Sequence, residues 1–304
     1  MTPRTRIGVF LPTVGRGPDG QLGDIAACAR HAEEHGIDSV WAGDQIVLGS
    51  GAPMLDAMVA LTTAAAVTRR PRIGFGVLIL PLRPVAAVAK QIATLQRLSG
   101  GRLVLGVGSG GTPHGVSSWQ AVGVPQAERG RLTDDCLAVL PGLVRGTPTR
   151  LRHLPGTPMV RLSPGADMPP VLIGGAGRVA IRRTLQYGDG WFPSMTTPEA
   201  VAGVAAILRQ GAAERGRPVP SITTWVLASL GTQAPNRTAV VASLASGYNL
   251  PVDRAAEIPI TGGPAEAAER LAAHAAAGAD EVVVSFAGGD WFRQVELFAE
   301  LSGC

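Results

Sequence analysis

Residues 72 to 111, RIGFGVLILPLRPVAAVAKQIATLQRLSGGRLVLGVGSGG, leave this chain few folds to choose from. Arg72 to Ile79 is an unbroken apolar run with β-branched residues. It lacks the alternation of a strand with one wet face, so both faces must be covered. Pro81 and Pro84 interrupt it. From Val85 to Leu98, Val85, Val88, Ile92, Leu95 and Leu98 fall three and four apart, which lays one apolar stripe along a helix. Gly100-Gly101 closes that helix, because glycine enters the left-handed C-cap conformation without a Cβ clash. Arg102 to Val107 is a second covered strand, and it runs into Gly108-Ser109-Gly110-Gly111. Strand, crossover helix and strand form a parallel βαβ unit whose second strand opens into a glycine loop.

The rest of the chain repeats the alternation. Strands are expected at Arg6–Leu11, Ser39–Ala42, Val171–Ile173, Gly190–Phe192, Ile222–Leu230 and Glu281–Phe286. Helices are expected at Ile25–His35, Met54–Thr68, Ala127–Arg145, Arg178–Tyr187, Glu199–Arg215, Arg237–Ser246, Pro264–Ala277 and Trp291–Leu301. Eight strands alternating with helices predict an α/β fold, a single-domain (β/α)8 TIM barrel over 1–304 rather than a doubly wound sheet. The stretch of about 146–170 holds six prolines and no periodicity, which reads as a loop-rich insertion or a lid over the active site.

Composition narrows the function classes. Hydrophobic residues make up 46% of the chain and charged residues 16%, enough for a large core and against disorder. The net charge of +4 comes from scattered arginines, with Lys90 the only lysine and aromatics at 4%. That is not the clustered basic, aromatic face of a nucleic-acid binder. No apolar run approaches the roughly 18 residues of a membrane span. The start, MTPRTRIGVFLPTVG, lacks a signal peptide's apolar core and cleavage site, so a cytoplasmic location is expected. Cys28, Cys136 and Cys304 are too few and too dispersed for a disulfide framework or a zinc site. His31, His35 and His274 fall on outer helices and His153 in the proline-rich stretch, without metal-ligand spacing, so no metal is expected.

In such a barrel, chemistry belongs to the carboxyl ends of the strands. The best anion site there is Gly174-Gly175-Ala176-Gly177, leading into a helix with Arg178, Arg182 and Arg183. Glycines permit close backbone approach, and the free N–H groups and dipole of a helix start favour a phosphate. A plain strand-to-helix turn is the alternative. G-V-G-S-G-G lacks the spacing of a dinucleotide fingerprint, and no G-x-S-x-G nucleophile elbow is present. Lys90 lies in a helix, so no strand-end lysine supports an aldolase reading. Asp134-Asp135 reads as a solvated helix face.

The run LP-x-R-P followed by AKQIATLQRLSGGRLVLGVGSG resembles the luciferase-like monooxygenase family, whose members use FMN or the deazaflavin coenzyme F420. In that family this segment is the third strand, third helix and fourth strand of a (β/α)8 barrel. The resemblance implies an oxidoreductase using reduced F420 or FMN for hydride transfer to, or oxygenation of, a small organic substrate. The alternatives are an FMN monooxygenase supplied by a separate flavin reductase, and a non-catalytic flavin-binding barrel. It implies that Gly174, Gly175, Ala176, Gly177 and Arg178 hold the cofactor phosphate. The ring would lie over Gly76-Val77, where relatives carry a non-prolyl cis peptide, with Asp44, Gln45, Gly108 and Ser109 as further cofactor contacts. Two departures stand out. Gln45 occupies the place of a family histidine, and Gly111 replaces a glutamate of F420-dependent sugar-phosphate dehydrogenases. Gln45 can hydrogen-bond without transferring a proton, and His114 is the candidate replacement acid, so these two are the catalytic candidates. A homodimer through the second and third helices is expected on the same resemblance.

Overall fold

A computed structural model of the chain describes residues 4–15, 20–111, 115–248 and 250–301. Eight strands run parallel and close on themselves: β1 Arg6–Phe10, β2 Ser39–Ala42, β3 Arg72–Ile79, β4 Leu103–Gly108, β5 Val171–Gly174, β6 Gly190–Phe192, β7 Ser221–Leu230 and β8 Glu281–Phe286. Each pairs with the next, and β8 returns to β1. Around them lie α1 Ile25–Glu34, α2 Ala57–Val67, α3 Val85–Leu98, α4 Ser117–Ala121, α5 Arg129–Arg145, α6 Arg178–Tyr187, α7 Pro198–Glu214, α8 Arg237–Tyr248, α9 Val252–Ala256, α10 Pro264–Ala276 and α11 Trp291–Leu301. The expected (β/α)8 barrel is the fold observed.

Between barrel and helices, the core is aliphatic, as the unalternating strands require. Inside the barrel, aromatic rings take over. Trp41 stacks on Phe192 with centroids 5.0 Å apart at 12°, and Phe10 meets Trp225 at 4.9 Å. Each such ring pair contributes about 0.5–1.5 kcal/mol beyond its buried area. Strand glycines make room for them: a Cβ on Gly74 would lie 2.2 Å from the Trp41 ring. A polar plug closes the amino end of the barrel. Fully buried Glu281 accepts from the Arg72 guanidinium and the Ser39 hydroxyl, and Ser39 Oγ accepts from Trp41 Nε1 at 2.7 Å.

The short helices α4 and α9 are not expected from the sequence, and three further elements differ from it. The helix expected from Met54 begins at Ala57, because Asp56 caps it by accepting from the Val59 amide at 3.0 Å. An additional strand, Ile260–Gly262, pairs with the end of β7 at Ala228–Leu230. The 146–170 segment is the third. It joins the carboxyl end of α5 to the amino end of β5, opposite the strands' carboxyl ends, and so is no lid. It folds into a short hairpin, Thr149–Arg150 with Met159–Val160. Arg97 of α3 donates to Gly165 O at 2.9 Å, and Lys90 donates to Ser163 O. No helix among the described residues is long and apolar enough to cross a membrane.

Candidate active site

The neighbouring strands β2 to β5 carry most of the residues singled out from the sequence, and their carboxyl ends bring several together. Gly76–Val77 is joined by a cis peptide bond. There the β3–β4 register slips, from Phe75 opposite Leu105 to Leu78 opposite Val107, which makes a bulge. Gly76 has no space for a side chain, since a Cβ would lie 2.5 Å from Phe10 Cζ. Val77 is seated in a trench of glycines. A Cβ on Gly108, Gly174 or Gly106 would lie 2.3, 2.9 or 3.3 Å from its methyl groups. The result is a small apolar shelf across three strands at the barrel mouth.

Asp44 lies beside this shelf, with both oxygens occupied. Arg83 binds it bidentately, with both N–O distances 2.7 Å, and the Ile79 amide donates to Oδ2 at 2.9 Å. Its position after β2 lets it pin the chain leaving β3. Gln45 is half-buried, and its Oε1 accepts from Ser118 Oγ at 3.1 Å. Ser118 Oγ also accepts from the Val47 amide at 3.0 Å, so α4 is tied to the loop after β2. The Gln45 amide nitrogen has no partner among the described residues. Trp119 walls the mouth from α4: a Cβ on Gly110, at φ +72°, would lie 2.7 Å from its ring. Ser109 is half-buried on the same loop. His114 lies outside the described residues.

Gly175 to Arg178 form an exposed lip beyond the shelf, and Gly174 before them is half-buried. Gly175 has φ +108°, a conformation that disfavours a side chain, and its carbonyl accepts from Trp191 Nε1 at 2.7 Å. Gly177 is the N-cap of α6 with no capping side chain, and nothing lies within 4 Å of where its Cβ would be. The start of α6 is thus open and uncapped by any side chain, although the Ala180 amide turns back to Gly177 O at 2.9 Å, and exposed Arg178 has no ion pair among the described residues. Arg182 and Arg183 are committed elsewhere. Buried Arg183 donates to Asp134 at 2.6 Å and to Gly130 O at 2.7 Å, and Arg182 approaches Asp134 at 3.4 Å. Asp134 is thus a tie between α5 and α6, and Asp135 pairs with Arg131 at 2.7 Å.

A cavity of about 440 Å³ opens on the other side of the mouth, between the ends of β6, β7 and β8 and the underside of α8. Its lining includes Met195, Trp225, Leu227, Leu244, Tyr248 and Ser285. Trp225 Nε1 donates to Ser285 Oγ at 3.0 Å, which leaves the serine proton free to point elsewhere. The Tyr248 hydroxyl has no partner among the described residues, and burial pushes its pKa up, so the phenol stays protonated. Neither Tyr248 nor Ser285 was singled out from sequence. An isolated tyrosine in a helix carries no chemical pattern; only the closing of α8 over the mouth makes it a site residue.

The model of the family described as "Luciferase-like monooxygenase" matches residues 5–300. The chain belongs to the luciferase-like monooxygenase family. An uncharacterized protein of Mycobacterium tuberculosis is 34% identical over 172 residues, 56% of this chain and 58% of that one. The 4-hydroxyprotoasukamycin monooxygenase of Streptomyces nodosus is 32% identical over 146 residues, 47% of this chain and 38% of its own. The matched regions thus span less than two thirds of these curated relatives. An F420-dependent secondary alcohol dehydrogenase solved with an F420-acetone adduct superposes with a TM-score of 0.82 at 19% identity, covering 98% of both chains. Among luciferase-like barrels, both deazaflavin and monooxygenase chemistry are therefore represented near this chain.

The family's flavin or deazaflavin fits the donor set at the mouth. The open space at Gly177 and the start of α6, which no side chain caps, suit an anionic tail, and the Val77 shelf offers an apolar surface to a ring.

Proposed function

We propose that this protein is an oxidoreductase that uses reduced coenzyme F420 or FMN for hydride transfer to, or oxygenation of, a small organic substrate. The observation that carries the reading is the juxtaposition at one barrel mouth of the Val77 shelf, the open α6 amino terminus and a 440 Å³ cavity. Bound there, the reduced cofactor would supply the hydride or activate oxygen. The chain's own residues would do the rest. Gly174 to Gly177 and Arg178 would hold the phosphate, and Gln45 would offer its amide nitrogen to the ring edge. Trp225 and Leu227 would exclude water, while Tyr248 and Ser285 would donate hydrogen bonds to a substrate oxygen. His114 remains a proposed acid. The monooxygenase alternative, with FMN supplied by a separate reductase, is favoured by the likeness to the Streptomyces nodosus enzyme. A carrier that binds flavin without catalysis is the third reading, supported by Gln45 in place of the family histidine. A cytoplasmic location is part of the proposal, as is a homodimer over α2 and α3, where Val59 and Leu98 are 65% and 70% exposed. Sedimentation of the wild type against Val59→Asp checks the dimer.

Equilibrium titration with oxidised and reduced F420 and FMN tests the proposal. Micromolar or tighter binding of one of them is expected, and failure of both to bind folded protein overturns it. O2 uptake during turnover then separates monooxygenase from reductase. Gly177→Asp should weaken binding of the phosphate-bearing cofactor roughly tenfold, about 1.4 kcal/mol. The new carboxylate occupies the first-turn amides and repels the anion, yet caps the helix, so thermal stability should hold or rise. Tyr248→Phe should leave cofactor affinity unchanged and lower kcat/KM by about 10- to 100-fold, the loss of one hydrogen bond to developing charge.

A further inference from the structure

The three residues His31, His35 and Glu296 meet on the outer ring, away from the barrel mouth. His31 lies in the last turn of α1 and His35 is its C-cap residue. The i, i+4 spacing puts both rings on one helix face, with centroids 4.1 Å apart. Glu296, from the last helix, reaches across with Oε1 3.8 Å from His31 Nε2. One ligand atom from each of the three residues lies within 4.8 Å of the others.

We propose that His31, His35 and Glu296 form a binding site for a divalent transition-metal ion of the zinc type, linking the first helix to the last. The hydrogen bonds around the cluster match what such a site needs. His35 Nδ1 lies 2.9 Å from His31 O, and donating to that carbonyl leaves Nε2 with its lone pair outward. Metal-bound histidines are characteristically oriented this way, with the second nitrogen held by a backbone carbonyl. Arg293 grips Glu296 Oε2 at 2.7 Å and leaves Oε1 turned toward His31. His31 Nε2 now lies 3.1 Å from Phe292 O, a contact that the ion would replace.

Two imidazoles and a carboxylate suit Zn2+, Co2+, Ni2+ or Cu2+ and disfavour Mg2+ or Ca2+, which prefer all-oxygen sets. Tetrahedral bonds of about 2.0–2.2 Å put ligand atoms roughly 3.3–3.6 Å apart, so the side chains must close by about 1–1.5 Å. All three residues are half-buried, open enough to admit an ion and water to complete its shell. The helices joined lie at opposite ends of the sequence and flank the β8–β1 seam, so the ion acts as a staple on the closed barrel. The site takes no part in the chemistry at the mouth.

The test uses untagged full-length protein, stripped with a chelator. Calorimetric titration with ZnCl2 should give one equivalent per chain at micromolar affinity, and zinc should raise the unfolding temperature by several degrees. Glu296→Gln should weaken binding at least tenfold, and His35→Ala should abolish it. Both variants should melt like wild type in EDTA, which shows that they fold. Co2+ should give d–d bands without a thiolate charge-transfer band, which excludes Cys304 as the ligand. Absence of zinc binding by the wild type overturns the proposal. So does stoichiometric binding that both variants retain.

Discussion

Asp44→Ala should destabilise the protein by about 3–5 kcal/mol, the usual result of removing one partner from a buried ion pair. The Asp44 side chain is 1% exposed and Arg83 19%, so water cannot replace the lost carboxylate. Two guanidinium N–H groups and the Ile79 amide would be left facing a methyl group. Arg83 keeps a 3.3 Å contact to exposed Asp56, which favours the lower end of that range. Chemical denaturation should show the loss as a shifted midpoint at unchanged slope. The double variant Asp44→Ala/Arg83→Met should recover much of it, because no buried charge then stands alone. A loss below about 1 kcal/mol for Asp44→Ala would show that the pair behaves as a surface salt bridge. The effect extends to function. Ile79 and Arg83 bracket the turn that leaves β3, two residues beyond the Val77 bulge, so Asp44→Ala should weaken F420 or FMN binding as well.

The parts of this protein legible in its sequence are those with short-range causes. The eight strands and their helices follow from covered apolar runs and glycine stops, and the bulge at Gly76-Val77 lay where the family resemblance implied. Asp44 illustrates what was not legible. Its place after β2 was evident, but its pairing with Arg83 joins two loops that only barrel closure makes neighbours. Arg182 and Arg183 are similar. Beside a glycine turn they read as part of an anion-binding helix, whereas Asp134 of the preceding helix claims both. The cavity under α8 was invisible for another reason: its walls come from three strand ends and one helix whose apolar residues look like ordinary core. Prolines at 146–170 suggested a lid because composition records irregularity and not which end of the barrel a connection occupies. His31 and His35 read as outer-helix residues without metal-ligand spacing, because Glu296, which meets them, comes from the other end of the chain.

His274 sets the second large effect. It is fully buried on α10, and neither ring nitrogen has a hydrogen-bond partner among the described residues. Burial, reinforced by the Arg270 charge and opposed by Glu199, pushes its pKa down from 6.5 to about 4. The unfolded chain therefore takes up this proton as pH falls through 6.5, while the folded chain resists until about 4. Stability from this group is complete above the unfolded value and declines by about 1.4 kcal/mol per pH unit inside the window. It reaches a total loss of about 3 kcal/mol and levels off at lower pH. His274→Leu fills a similar volume, removes two unpaired polar atoms and carries no proton. At pH 8 it should match or exceed the wild type in denaturant, since apolar replacement of an unsatisfied group is neutral to stabilising. Its advantage should then widen steadily from pH 6.5 to 4, reaching about 3 kcal/mol. Carboxylates titrating in the same range cancel, because both proteins contain them. Parallel pH profiles for the two proteins would mean that the buried imidazole finds water or a partner on protonation, and that its pKa lies near the ordinary value.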